Sequence, residues 1–155
     1  MHIAVLGTRG FPDVLGGVER HCEELYPRLV QLGARVTVMT RTPYIPPQNR
    51  RAEWRGINFV HLYCPRKKSL EAIIHTFLGT LRAKQLAPDI LHFHAVGPSL
   101  LMPAARLLDF KAVMTHHGPD YERAKWGLLA KAVLRRGESW GVKNAHEIIA
   151  ISKGI

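Results

Sequence analysis

The sequence predicts an α/β domain, doubly wound, with a mostly parallel sheet and helices on both faces; three observations predict it. Short apolar runs alternate with longer amphipathic stretches along all 155 residues. The first run, Ile3-Ala4-Val5-Leu6, is apolar at every position, the pattern of a strand buried on both faces. The spacing between runs leaves room for crossover helices, and right-handed β-α-β crossovers build parallel sheets.

The elements follow in order. Residues 2–7 are the first strand, and a glycine-rich loop spans residues 8–17. A helix then runs to about residue 32, with Val18, Cys22, Leu25, Leu29 and Leu32 on one stripe and Gly33 in the terminating position. Residues 35–40 are the second strand, after which Pro43, Pro46 and Pro47 break the pattern. Residues 57–63 are the third strand. Ser69 is placed to cap a second helix whose apolar stripe holds Leu70, Ile73, Ile74, Phe77 and Leu81. A fourth strand at 89–94, a short helix at 99–108, a fifth strand at 112–115, a long helix at 121–144 and a sixth strand at 147–151 complete the pattern. Ser152 would cap a further helix, but three residues follow it, so residues 1–155 are expected to be one domain of a longer protein.

With 46% hydrophobic residues the chain can bury one sizeable core. No apolar run reaches the roughly 18–20 residues of a membrane-spanning helix. Met1 leads directly into a strand-like run without a signal-peptide core, so cytoplasmic residence is expected. Cys22 and Cys64 lie outside any C-x-x-C pair and read as small buried hydrophobes. The net charge of +10 selects an acidic partner. Phosphates on a small donor fit, as does an anionic membrane surface holding a lipid-linked acceptor. The basic residues are dispersed and no recognised motif is present, so nucleic acid is not an expected partner.

In doubly wound sheets ligands bind beyond the carboxyl ends of the strands, which directs attention to the loops there. In the first loop, Gly16-Gly17 stands before a helix, where free N–H groups and the helix dipole favour phosphate oxygens, and Arg9 offers a cationic fork. The glycine spacing is neither G-x-G-x-x-G nor a nucleotide triphosphatase loop, and a flexible turn without ligand is equally open on composition alone. Thr115-His116-His117-Gly118-Pro119-Asp120 follows the fifth strand; a histidine there faces the crevice or, as is commoner for a lone histidine at a strand end, serves as a structural hydrogen-bonder, and Asp120 orients it, binds a hydroxyl or caps the next helix. His92 and His94 share a strand face and join His116 and His117 in a histidine-rich rim. No companion carboxylate or cysteine spacing accompanies them, so no metal and no cofactor is expected. Arg66-Lys67-Lys68 and the charged start of the long helix read as solvated surface, with membrane contact left open for the triplet.

These motifs in this order resemble the amino-terminal domain of the family-4 retaining glycosyltransferases, which have two facing Rossmann-like domains (GT-B), and more narrowly the bacterial rhamnosyl- and related transferases of cell-surface polysaccharide assembly. The resemblance rests on Gly7-Thr8-Arg9-Gly10 with Gly16-Gly17-Val18-Glu19, on Glu24-Leu25 through Val36-Thr37-Val38, and on His92-Phe93-His94. It continues in His117-Gly118-Pro119-Asp120, in Arg123-Ala124-Lys125-Trp126, and in Glu147-Ile148-Ile149-Ala150-Ile151-Ser152-Lys153. It implies an acceptor-binding half whose partner, a carboxyl-terminal donor-binding domain, is absent from residues 1–155, so that this half alone is inactive. The implied partners are a nucleotide-sugar donor and a saccharide or lipid-linked acceptor, with peripheral contact at the inner membrane face allowed. Gly16 and Gly17 would approach the donor diphosphate with Arg9 nearby, and His117 would contact the donor sugar. His94, Asp120, Glu19 and Arg123 would fall on the acceptor side. Two points depart from the family pattern: the acidic and basic donor-binding residues of the second domain are missing, and His116 precedes His117 where relatives carry an apolar residue, which leaves open which ring faces the sugar. The competing expectation is a non-catalytic nucleotide- or anion-binding α/β module.

Overall fold

The structure is a computed structural model that describes residues 1–67, 70–124 and 126–153. Its strands are β1 (His2–Leu6), β2 (Arg35–Arg41), β3 (Glu53–Trp54), β4 (Ile57–Leu62), β5 (Ile90–His94), β6 (Ala112–His116) and β7 (Glu147–Ala150). Its α-helices are α1 (Gly17–Gln31), α2 (Glu71–Leu86), α3 (Met102–Leu107) and α4 (Leu128–Asn144). The sheet order is β3-β4-β2-β1-β5-β6-β7; β3 pairs antiparallel with β4 and every other pairing is parallel. This is the doubly wound α/β fold that the alternation predicts. Chain order reverses between β1 and β5, which makes the carboxyl ends of those two strands the switch point.

Strand alternation divides the core into two layers. Ile3 and Val5 of β1 join Phe11, Cys22, Tyr26, Val36, Val38, Ile57 and Phe59 beneath α1. Ala4 and Leu6 point the other way, into a cluster with Met39, Leu91, Phe93, Val96, Met102 and Met114. Cys22 and Cys64 are both free and buried, and burial raises both thiols above their ordinary pKa.

Helix α2 differs from the expectation in orientation. Its apolar stripe lies outward, with Leu70, Phe77 and Leu81 each 44–51% exposed. The face turned inward is small and polar: His75, Thr76, Gly79, Thr80 and Ala83. Gly79 lets the Leu6 side chain press against the helix backbone. Thr76 and Thr80 satisfy their hydroxyls on the carbonyls of Ala72 (2.6 Å) and Thr76 (2.8 Å), so their burial leaves no polar group orphaned. Close backbone approach thus overrides apolar periodicity. Ser69, the expected cap, and Lys68 of the basic triplet lie outside the described residues.

Two other elements are shorter than the periodicity suggests. The helix expected at 121–144 begins at Leu128; before it, Asp120–Glu122 forms one 3-10 turn, ended by Arg123 in an extended conformation (φ −65°, ψ 137°). The carboxylate of Asp120 accepts from Arg123 Nε (2.8 Å) and Trp126 Nε1 (3.1 Å), holding this segment as a loop. The helix expected at 99–108 opens as a 3-10 turn, Pro98–Leu101, and continues as α3. The two-residue strand β3 carries too little pattern to be read from sequence.

Candidate functional site at the switch point

Gly7 ends β1 with φ +106°, and a Cβ there would collide with the His94 backbone, 2.9 Å from its nitrogen and closer still to its carbonyl oxygen. Only glycine allows β1 and β5 to run this close at their carboxyl ends. The chain beyond Gly7 therefore turns across the mouth of β5. Arg9 and Glu19 clamp this turn from within. Glu19, in the first turn of α1, accepts from the Arg9 backbone N–H (2.9 Å), Nε (3.2 Å) and Nη2 (2.8 Å), and Nη2 also reaches the Leu15 carbonyl (2.6 Å). Burial pushes the Glu19 carboxyl upward, but the bonds from Arg9 outweigh it and hold the group below its ordinary pKa. Two nitrogens of the Arg9 fork, Nε and Nη2, thus bond the loop, and Glu19 is a buried loop anchor. A Cβ on Gly16 would strike both side chains of this clamp. Gly17 has no atom within 4 Å of where a Cβ would stand, so the amino end of α1 is open. The first bond of the helix is Arg20 N–H to the Gly16 carbonyl (2.9 Å); Gly16, at the cap position, has no side chain to bond the N–H groups before it, and the Glu19 carboxylate bonds its own N–H.

Beside that end lies a chain of hydrogen bonds through the sheet's α1 face. Thr115 Oγ1 meets His92 Nε2 (2.7 Å), His92 Nδ1 meets the Tyr26 hydroxyl (2.9 Å), that hydroxyl meets His94 Nε2 (2.6 Å), and His94 Nδ1 meets His117 Nε2 (2.9 Å). One proton sits in each link, so the links are polarised together. When Thr115 donates, each successive group donates onward and His117 is left with Nδ1–H. The reverse direction would strand the buried Thr115 O–H without an acceptor, so the first arrangement is favoured. Burial, reinforced by neighbouring imidazoles, lowers His92 and His117 to about 4 and His94 further. All three rings are neutral at pH 7.

His21, one turn into α1, packs edge-on against His117 with centroids 5.0 Å apart and lies 5.7 Å from His94. His21 thus brings the first turns of α1 against His94 and His117. His116 goes elsewhere. Its Nδ1 accepts from the Gly118 N–H (3.1 Å), so its Nε2 donates to Glu138 (2.7 Å), a carboxylate that also accepts from Tyr121 (2.9 Å). Between the two adjacent histidines, His117 is the one in the cluster. Asp120 and Arg123 belong to the loop before α4 and pair with each other. Sequence reasoning missed His21 and Tyr26. The available signal was their position, since both sit on the helix that follows Gly16-Gly17. A cavity of about 30 Å³ between Pro12, Tyr44, Pro46 and His61 holds little more than a water or two and is too small for a sugar nucleotide.

Glycosyltransferase Family 4 is the description of the family model that matches residues 15–155. Among solved structures, a sucrose-phosphate synthase from Thermosynechococcus elongatus matches with a TM-score of 0.72 and 18% identity, over 95% of this chain and 41% of that one. A second structure of that synthase, described as twinned, matches with a TM-score of 0.70 and 15% identity, over 99% of this chain and 78% of that one. Arabidopsis thaliana UGT89C1 complexed with UDP gives a TM-score of 0.54 and 14% identity, over 97% and 42%. At these identities the likeness is one of fold. The chain spans about two fifths of the first synthase chain and of UGT89C1. No curated protein sequence matches.

Proposed function

The chain belongs to glycosyltransferase family 4, and from that premise we propose that it forms the acceptor-side half of a retaining enzyme. This enzyme moves a sugar from a nucleotide-sugar donor to a saccharide or lipid-linked acceptor in cell-surface glycan synthesis, in the manner of rhamnosyl- and related transferases. A donor-binding domain outside residues 1–155 supplies the facing wall of the crevice. The observation that supports this reading is the meeting of the first turns of α1, through His21, with His94 and His117 at the switch point.

In this reading the donor diphosphate lies against the N–H groups at Gly16 and Gly17, where backbone dipoles stabilise the charge that grows as the bond breaks. His117 meets the donor sugar. The bond from the anomeric carbon to the diphosphate breaks with its electron pair leaving on the nucleoside diphosphate. The acceptor oxygen bonds to the same face of that carbon, its proton passes to the departing phosphate oxygen, and anomeric configuration is kept. The hydrogen-bond chain from Thr115 to His94 fixes the His117 ring before substrate arrives. Arg9 and Glu19 act by holding the loop, while Asp120 and Arg123 lie toward the acceptor side.

The outward stripe of α2 supports peripheral contact with an anionic membrane at the cytoplasmic face. Leu70, Phe77 and Leu81 are exposed, Lys84 follows on the same helix face, and Arg66 and Lys67 precede it. Among the described residues no helix is long and apolar enough to cross a membrane. The test of transfer is a screen of nucleotide sugars and glycan acceptors with the intact protein, reading product stereochemistry by NMR. A product with the donor's anomeric configuration is expected; an inverted product, or no transfer with any donor, contradicts the reading.

A further inference from the structure

Three imidazoles from three separate elements converge at the switch point: His21 on α1, His94 at the end of β5 and His117 just past β6. One ring nitrogen of each lies within 4.8 Å of the others. The ring centroids are 5.0 Å (His21–His117), 5.2 Å (His94–His117) and 5.7 Å (His21–His94) apart. Zinc bonds imidazole nitrogen at about 2.0–2.1 Å, and tetrahedral angles then set the nitrogens roughly 3.3 Å and the ring centres roughly 5 Å apart. The cluster already has these ring spacings, and the His94–His117 nitrogens, at 2.9 Å, need move only slightly. Two independent features support a ligand here. Buried His21 Nε2 has no hydrogen-bond partner among the described residues. The far nitrogen of His94, Nε2, rests on the Tyr26 hydroxyl at 2.6 Å, the outer partner that orients a ligating imidazole.

We propose that His21, His94 and His117 form a three-nitrogen site for a zinc-class divalent cation, with a fourth coordination position left for water or a ligand oxygen. The donor set selects against magnesium and calcium, which demand oxygen ligands. Glu19, the carboxylate near His117, is held by Arg9. Cation binding has a consequence beyond the three ligands. With the metal on His94 Nδ1, that nitrogen carries no proton, so His94 Nε2–H donates to Tyr26, Tyr26 donates to His92 Nδ1, and His92 Nε2–H donates to Thr115. The whole chain reverses, including His92, which does not touch the metal. The site stands on its own geometry and does not depend on the sugar-transfer reading. Should both hold, the cation occupies His117 and competes with the donor.

The experiment is calorimetric titration of Zn(II) into the intact, chelator-stripped protein, beside His21→Ala, His21→Gln and the control His146→Ala. His21 is half-buried on a helix that alanine and glutamine both favour, and circular dichroism verifies folding. Zinc binding is expected to weaken by at least ~100-fold in both His21 variants, beyond the roughly 10–100-fold of outer-shell changes, and to be unaltered in His146→Ala. Co(II) in place of zinc should give the intense visible bands of a four-coordinate centre. In ¹⁵N spectra, zinc should move the unprotonated nitrogen of His92 from Nε2 to Nδ1. Absence of stoichiometric zinc binding, or undiminished binding in the His21 variants, overturns the site. Neither result touches the transfer assay, whose outcome is read separately.

Discussion

Lowering the pH from 7 to 5 is expected to remove about 6 kcal/mol of folding stability through three histidines alone. His75, His92 and His94 are fully or almost fully buried and unable to hold a charge: desolvation, aided for His75 by Arg41, takes His75 to about 3 and His92 to about 4, and His94 well below its ordinary value. In the unfolded chain each returns to an ordinary 6.5. The unfolded state therefore binds more protons as pH falls, so this contribution is fully present above pH 6.5 and is lost toward the folded values. At pH 5 each group costs about 2 kcal/mol, at roughly 1.4 kcal/mol per proton per pH unit. The total rivals the whole stability of many domains. Urea unfolding at pH 7, 6 and 5 reads it directly: with a slope of about 2 kcal/mol per molar, the midpoint should fall by about 3 M. Stopping at pH 5 keeps the carboxylates ionised, including Glu19, which titrates below its ordinary value. A midpoint that moves by less than about 0.5 M would show that these rings are not buried and neutral, and the hydrogen-bond chain would go with them.

Gly7→Ala should cost at least ~3 kcal/mol in chemical denaturation, because the left-handed backbone and the His94 contact both reject a methyl group; a loss under 1 kcal/mol would mean the strand ends are looser than described. Tyr26→Phe removes the hydroxyl between two buried ring nitrogens, and an expected cost of about 3 kcal/mol should accompany altered tautomer signals at His92 and His94; unaltered tautomers would break the chain at its centre. Phe77→Asp, at an exposed position, should leave the melting temperature unchanged and weaken co-sedimentation with anionic phospholipid vesicles roughly tenfold. Equal binding by wild type and variant would remove α2 from the membrane contact.

The sheet was legible because the run Ile3-Ala4-Val5-Leu6 announces a strand buried on both faces and the later apolar runs, such as residues 112–115, alternate with helical stretches. Helix α2 was legible as a helix but not in its facing, because Gly79 and two self-bonding threonines bury a face that hydropathy marks as weak. The segment before α4 read as helix because its turn depends on the Asp120 carboxylate gathering Arg123 and Trp126, which periodicity does not register. Within the site, the loop position of Gly16-Gly17 and the strand-end positions of His94 and His117 followed from the topology. His21 did not, since its meeting with them depends on the orientation of α1 over the sheet. Which of His116 and His117 joins the cluster also needed coordinates, as His116 ends β6 on the Glu138 side while His117 lies just past the strand, where the alternation of side chains no longer fixes its direction.

The most direct test is steady-state transfer by the intact protein carrying His117→Ala, with the donor that the screen identifies. The proposal places this imidazole against the reacting sugar with its ring set by His94, so turnover should fall by well over tenfold in a variant that circular dichroism shows to be folded, its melting temperature lowered by the His94 N–H left without an acceptor. Wild-type kinetics in that variant would remove His117 from the site and, with it, the claim that the switch-point cluster is where the sugar is transferred.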